Sequence, residues 1–319
     1  MNKKVLITAE IHPYLQQRLE ELGFSVDVFP EIEHAKLLEI IADFGMLVIT
    51  TYTKVNTEVI DKASQLKIIG RVGSGMENVD VEYCKTKNIA SVNSPEGNGN
   101  AVGEHCLSML LNLLNNITKA NNELKQNIFL REENRGEELD GKTVGIIGYG
   151  FTGSAFAKKL RGFDVDILVY DKYKQVQDDF VQSVSLEELK MRSDVISFHV
   201  PYNTETHYYC DEQFISDCGK KPIIINTSRG AVINIEAVSN ALGNKKLSGL
   251  CIDVYEDEPI TKNKIHTTET YQKLFAFENV VATPHIAGWT RQSKYKLVKV
   301  LMDKIELLLN NNHLQNLEA

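Results

Sequence analysis

Three glycines and an aspartate carry the strongest chemical signal in the sequence. Gly148-Tyr-Gly-Phe-Thr-Gly153 follows the apolar run Thr143-Val-Gly-Ile-Ile and precedes Ala155, Phe156, Ala157 and Leu160 at helical spacing. A strand, glycine turn and helix in that order form the context in which G-x-G-x-x-G cradles a dinucleotide pyrophosphate. Gly148 allows the tight turn, Gly150 lets the backbone approach the phosphates, and Gly153 lets the helix pack closely. The helix amino end offers unpaired N–H groups near Phe151 and Thr152. Asp171 ends the next strand, where a carboxylate accepts ribose hydroxyls and repels a 2′-phosphate. Together these residues point to NAD. Lys172 and Lys174 leave NADP as the lesser option, although each reads more simply as a solvated charge.

Parallel α/β sheets bind ligands at the carboxyl ends of their strands. His199 and Pro201 follow one such strand, Thr227-Ser-Arg229 another, Glu258 a third and Pro284-His285 a fourth. Singly, the arginine reads as a surface ion pair, the glutamate as a loop acid and the histidine as a helix cap. Jointly, beside a dinucleotide fingerprint, they suit hydride chemistry at a 2-hydroxy acid. Arg229 can hold a substrate carboxylate in a bidentate fork and polarise the neighbouring oxygen. His285 can exchange the hydroxyl proton as hydride moves, and Glu258 can hydrogen-bond the other ring nitrogen. In the amino-terminal half, Arg71-Val-Gly-Ser-Gly75 follows a strand. By itself it reads as a glycine turn, but its backbone N–H groups can also form an anion nest, with Arg71 meeting a second anionic group.

These residues need a scaffold, and the chain of 319 residues is long enough for two domains. Its 35 basic and 43 acidic side chains give a net charge of −8. With no concentrated basic patch, nucleic acid and anionic membrane surfaces are not expected partners. Five cysteines (Cys84, Cys106, Cys210, Cys218, Cys251), an odd count without C-x-x-C spacing, argue against a disulfide framework or a zinc site. With no secretory leader and no membrane span, a cytoplasmic protein without a metal is expected.

Two series of β-rich runs alternate with helical patterns. The first comprises the runs starting at Val5, Val26, Met46, Lys67 and Ala90; the second has six, starting at Thr143, Asp166, Asp194, Pro222, Gly249 and Val280. The six-strand series predicts a doubly wound parallel sheet. One long helix is predicted from about Asn100 to Leu124, followed by a polar exposed connection over 121–140. The stripe Leu297, Leu301, Ile305 and Leu308 predicts a terminal helix that either returns to the first domain or caps the second.

The whole set of motifs resembles the D-isomer-specific 2-hydroxyacid dehydrogenases. It rests on Arg71-Val-Gly-Ser-Gly-Met-Glu-Asn-Val-Asp80, Asn93-Ser-Pro, Gly103-Glu-His, the 148–153 turn, Asn226-Thr-Ser-Arg-Gly230, Asp253-Val-Tyr-Glu-Asp-Glu-Pro259 and Thr283-Pro-His-Ile-Ala-Gly288. The resemblance implies an α/β fold of two domains, with a Rossmann-type doubly wound sheet (99–284) inserted into a smaller flavodoxin-like substrate domain (1–98 and 285–319). It also implies a cleft between them and a homodimer built on the cofactor domains. Arg229, Glu258 and His285 become the catalytic trio. Val72, Gly73 and Ser74 hold the substrate carboxylate, and Ser94, His199, Pro201, Thr206, Thr227, Asp253 and Gly288 lie near the cofactor. Arg71 with Ser94-Pro-Glu-Gly-Asn98 looks most like 3-phosphoglycerate dehydrogenases, where the corresponding Arg and Asn face the substrate. A glyoxylate or hydroxypyruvate reductase and a D-lactate-type enzyme are the enzymatic alternatives. An NAD-sensing binding protein is the alternative of another class, to be recognised by cofactor-dependent dimerisation without hydride transfer. Glu77 stands where Asp is usual. The sequence ends at Ala319 without the regulatory domain of longer relatives, so serine feedback is not expected to carry over.

Overall fold

The structure, a computed structural model, describes residues 1–256 and 268–310. The chain divides into two compact units, Met1–Asn98 with Thr290–Ala319, and Gly99–Trp289. The second crossing thus falls after Trp289 instead of after residue 284.

In the first unit, strands β1 (Lys4–Ile7), β2 (Ser25–Val28), β3 (Met46–Ile49), β4 (Ile68–Arg71) and β5 (Ala90–Asn93) alternate with helices α1 (Tyr14–Glu21), α2 (His34–Ile40), α3 (Thr57–Lys62) and α4 (Val81–Thr86). All strands are parallel, in the order β2-β1-β3-β4-β5, which is the flavodoxin-like arrangement. β3 and β4 are buried throughout, because helices cover both faces of a parallel sheet and demand continuous apolar runs.

The second unit opens with α5 (Gly99–Leu114) and α6 (Ile117–Lys125). The single helix expected over Asn100 to Leu124 is therefore two. Asn116 takes a left-handed φ of 52°, a conformation asparagine tolerates better than most residues. Neighbouring amides stabilise the break: Asn115 Nδ2 donates to the Leu111 carbonyl, and Asn112 Oδ1 accepts from the Thr118 N–H and hydroxyl. The segment beyond α6 is exposed but folds back on it, since Asn134 donates to Glu123 and Lys119 Nζ reaches both Glu123 and Asn134.

Then come β6 (Thr143–Ile147), α7 (Phe151–Leu160), β7 (Asp166–Tyr170), β8 (Gln182–Ser183), α8 (Leu186–Arg192), β9 (Val195–Phe198), α9 (Glu212–Ser216), β10 (Ile223–Asn226), α10 (Ile235–Gly243), β11 (Gly249–Ile252), α11 (Glu269–Phe275) and β12 (Val280–Ala282). Among the described residues the sheet has seven strands, not six, ordered β12-β11-β10-β9-β6-β7-β8. The additional β8 is only two residues long, too short to show a periodic signal. Two apolar clusters fill this unit, one built around Phe198, Ile224 and Leu250, the other around Val144, Phe156 and Ile225.

Helix α12 (Arg291–Asn310) belongs to the first unit. Thr290 and Ser293 cap its start reciprocally, each side-chain oxygen accepting the other's backbone N–H. Val298, Leu301, Met302 and Ile305 are buried with Val5, Ile7, Leu15, Leu19 and Ile68. Among the described residues no helix is long and apolar enough to cross a membrane. Leu301 has no exposed surface, so Leu301→Ala should cost about 2–5 kcal/mol of stability in urea unfolding. A loss well under 1 kcal/mol would mean that α12 is not part of this core.

Candidate active site

The second sheet brings five expected positions into line, together with Thr283. Tyr170, Ile147, Phe198, Asn226, Ile252 and Ala282 are register partners across β7, β6, β9, β10, β11 and β12. The next residue on each strand is Asp171, Gly148, His199, Thr227, Asp253 or Thr283. At about 4.8 Å per strand, this row runs roughly 24 Å along the carboxyl edge. That length suits an extended dinucleotide, and the strand order reverses within the row, at β6 and β9.

The glycine turn fits the group its sequence implies. Gly148 has φ +89°, and a Cβ at Gly153 would collide with the Gly148 carbonyl oxygen. Beyond Gly150 there is open space, and no side chain caps the start of α7. Its first-turn N–H groups, including those of Phe151 and Thr152, suit a pyrophosphate. Asp171 braces the turn, with Oδ2 accepting the Tyr149 N–H at 2.8 Å and Oδ1 the Tyr173 N–H at 3.0 Å. Each oxygen retains acceptor capacity for a ribose hydroxyl. Pro201 and Thr206 are joined, the Thr206 hydroxyl donating to the Pro201 carbonyl at 2.7 Å.

His199 is buried behind the glycine turn. Nε2 lies 2.8 Å from Ser197 Oγ and Nδ1 3.2 Å from Thr152 Oγ1, so two hydroxyls serve one neutral ring. Burial pushes its pKa down to about 3. The ring is therefore a structural link to the first turn of α7, not a proton carrier near neutrality.

Arg229 leaves β10 on a loop stiffened by buried Asn226. That side chain accepts from the Ser228 N–H and hydroxyl and donates to the Arg229 carbonyl. Gly230 lets the loop lie on the β11 exit, because a Cβ there would strike the Tyr255 carbonyl. The Arg229 guanidinium is half-buried and Nη1 donates to the Ser228 carbonyl at 2.7 Å. Thr227 Oγ1 lies 3.2 Å from the thiol of Cys106, which burial pushes up to about 12. His285 is exposed and has φ +54°, a conformation that costs of order 1–3 kcal/mol and must be imposed by its surroundings. Asp253 imposes it. Its fully buried carboxylate accepts the Ile286 and Ala287 N–H groups at 2.8 Å each, and the Thr283 hydroxyl at 2.5 Å. Asp253, assigned to the cofactor by resemblance, thus has both oxygens engaged by the histidine loop, whose turn includes Gly288. Glu258 lies outside the described residues.

The remaining expected positions lie in the first unit. The Val72 N–H donates to the Ile49 carbonyl and the Gly73 N–H to Ser94 Oγ, so two of the three presumed nest donors are already used within the unit. Ser94 is fully buried and serves the 72–74 loop here. Ser74 Oγ donates to Asn98 Oδ1 at 2.9 Å. Arg71 is buried to within 9% of its surface and donates to the Val72 carbonyl and Thr51 Oγ1. Thr283 and Tyr255 had no assigned role in the sequence reading, although Thr283 shares a motif with His285 and Tyr255 one with Asp253. The Tyr255 hydroxyl donates to the Thr283 carbonyl at 2.8 Å.

The neutral His199 makes stability depend on pH. Its folded pKa is lowered, so above about pH 6.5 the imidazole is neutral in both states and contributes no proton linkage. As pH falls from 6.5 toward 3, the unfolded ring binds a proton that the folded ring refuses, and stability drops. Between pH 7.5 and 5, wild type should lose about 2 kcal/mol that His199→Gln does not lose, measured by urea unfolding at each pH. Equal losses in the two proteins would refute a buried neutral ring.

Residues 107–287 match the model of the NAD-binding domain of D-isomer specific 2-hydroxyacid dehydrogenases. The D-3-phosphoglycerate dehydrogenase of Methanocaldococcus jannaschii is 33% identical over 98% of this chain, which spans only 59% of that protein's length. The hydroxypyruvate reductase of Thermotoga maritima is 35% identical over 86% of this chain and 88% of its own. Among solved structures, the D-lactate dehydrogenase of Aquifex aeolicus complexed with NAD and lactic acid is 30% identical, covering 97% of this chain and 96% of that one with a TM-score of 0.82. With the dinucleotide turn, the aligned strand ends and the Arg229 and His285 loops in one unit, these matches place the chain in the D-isomer-specific 2-hydroxyacid dehydrogenase family.

Proposed function

We propose that the protein transfers hydride between a nicotinamide dinucleotide and a small anionic D-2-hydroxy acid or its 2-keto acid. The observation that carries this reading is the single row of residues from Asp171 to Thr283, set by strand register, with Arg229 and His285 on the loops just beyond it. The cofactor supplies the electron chemistry when bound. Arg229 fixes the substrate carboxylate and polarises the reacting oxygen, His285 moves the proton at that oxygen, and Glu258 orients the imidazole. In this reading Gly99–Trp289 is the cofactor domain and the other unit the substrate domain, with Arg71, Ser74 and Asn98 on the substrate side.

NAD is the cofactor we assign. Asp171 at the end of β7 supports this, since a carboxylate repels a 2′-phosphate, and neighbouring Lys172 is paired with Glu205 at 2.7 Å. Lys174 instead lies over the Tyr149 ring, 5.9 Å from its centroid. Ile117, Leu124 and Phe129 are 56%, 57% and 76% exposed, apolar side chains on one segment of the kind that interfaces cover. This supports a homodimer formed through the cofactor domain. Five cysteines that form no disulfide support a reducing, cytoplasmic location.

The substrate we favour is 3-phosphoglycerate, because Arg71 offers a second cation for a phosphate. Hydroxypyruvate is the second reading, favoured by the inward bonds of Arg71 and by the Thermotoga relative's match over most of its length. Steady-state rates over a panel of 2-keto acids with NADH and NADPH test the activity. His285→Asn should lower turnover by roughly 10²- to 10⁴-fold. Near wild-type turnover in both His285→Asn and Arg229→Ala would refute the mechanism. For the substrate, Arg71→Ala should raise KM for 3-phosphohydroxypyruvate by about tenfold or more, the loss of one charge-assisted contact, while leaving hydroxypyruvate unaffected. An equal or absent effect on both would assign the enzyme to the smaller acid.

A further inference from the structure

The Gly103-Glu-His motif has no part in the chemistry so far, yet its histidine reaches the loop that carries the proposed acid–base group. His105 projects from α5, with Nε2 3.0 Å from Thr283 Oγ1 and 3.7 Å from Asp253 Oδ1. The direction of these bonds follows from donor counting. As a carboxylate, Asp253 only accepts, so the single Thr283 hydroxyl proton points along the 2.5 Å contact to Asp253 Oδ1. The Thr283 oxygen must then accept from His105, which puts a proton on Nε2. A chain of donors thus runs from His105 through Thr283 to Asp253, whose oxygens receive the Ile286 and Ala287 N–H groups. Those two amides directly follow His285, whose φ of +54° needs such restraint.

We propose that His105 is a positioning residue for His285, acting through Thr283 and Asp253 on the 283–287 backbone. The proposal rests on the reading of His285 as the proton carrier. His105 is 20% exposed while Asp253 is not exposed at all, so the imidazole forms the outer end of the chain and the buried carboxylate its anchor. Without the Nε2 proton, the Thr283 oxygen loses the donor that holds it in place, so the hydroxyl's own bond to Asp253 Oδ1 is no longer fixed at one angle. The two amides it holds then sample open geometries. Misplacing a reacting group by about 1 Å can cost on the order of 10²-fold in rate.

The test compares His105→Leu, His105→Gln and Thr283→Val with wild type. Glutamine can present an amide N–H near the place of Nε2, leucine removes the donor, and valine removes the hydroxyl relay at nearly constant shape. Hydrogen exchange, read by NMR without cofactor, should speed at the Ile286 and Ala287 amides by about tenfold or more in His105→Leu and Thr283→Val. His105→Gln should return it toward wild type. In the loaded enzyme, kcat should fall roughly 10- to 100-fold with the keto-acid KM within about threefold. The double variant should be no worse than the worse single one. Unchanged exchange at these two amides overturns the proposal, as does acceleration spread equally over the unit's core amides, which would mark general destabilisation. If His105→Leu does not fold, Thr283→Val and His105→Gln still give the decision. Wild-type protein inactive toward every acid would sink the dehydrogenase reading, whereas the exchange measurement would still decide whether His105 restrains the loop.

Discussion

Parallel strand register is the constraint on which the site depends. One backbone ladder fixes Tyr170, Ile147, Phe198, Asn226, Ile252 and Ala282 side by side, so the chain exits six strands along one line. Ladder hydrogen bonds cannot slip by one residue without turning every side chain to the opposite face. Here the strands β6, β9, β10 and β11 are buried throughout, and any slip would leave the two apolar clusters unfilled. Core packing and the alignment of functional loops are therefore one property of the same sheet. It explains how residues as far apart in sequence as Gly148 and Thr283 come to lie along one edge.

Beyond the strand ends, precision depends on buried polar groups. Asn226 and Asp253 are both fully buried, and such groups are tolerated only when their hydrogen bonds are satisfied. Each meets this requirement by binding the backbone of the loop that follows its own or the neighbouring strand: Asn226 the Arg229 loop, Asp253 the His285 loop. The cost of burying an amide or a carboxylate is thus offset by bonds that also set a functional loop. Replacing either by an apolar residue would leave backbone donors or acceptors unpaired at the sheet edge, a more serious loss than the deleted side chain itself.

Much of this was legible in the residues because it follows from short-range rules. The runs at Val5, Val26, Met46, Lys67 and Ala90 correspond to β1 to β5, and those at Thr143, Asp166, Asp194, Pro222, Gly249 and Val280 to β6, β7 and β9 to β12. What escaped has physical reasons. The β8 strand has two residues, below any periodic signal. The break between α5 and α6 depends on asparagine side chains finding particular carbonyls and N–H groups, which apolar periodicity does not record. Sequence alone leaves the Val72 and Gly73 donors open, as glycine loops often do, and only the tertiary position of Ser94 and the β3 edge reveals their partners.

The first unit shows how a glycine-rich loop is made rigid. Gly73 N–H to Ser94 Oγ, Ser94 N–H to the Gly73 carbonyl, and Ser74 Oγ to Asn98 bind the β4 and β5 exits to each other. Arg71, held by the Val72 carbonyl and Thr51, adds a fixed positive charge in a largely buried setting. A guanidinium cannot shed its charge to relieve burial, so its position has to be held by such bonds. Burial and these bonds therefore fix where the Arg71 charge lies at the end of β4, just as the Ser94 and Asn98 bonds fix the loop beside it.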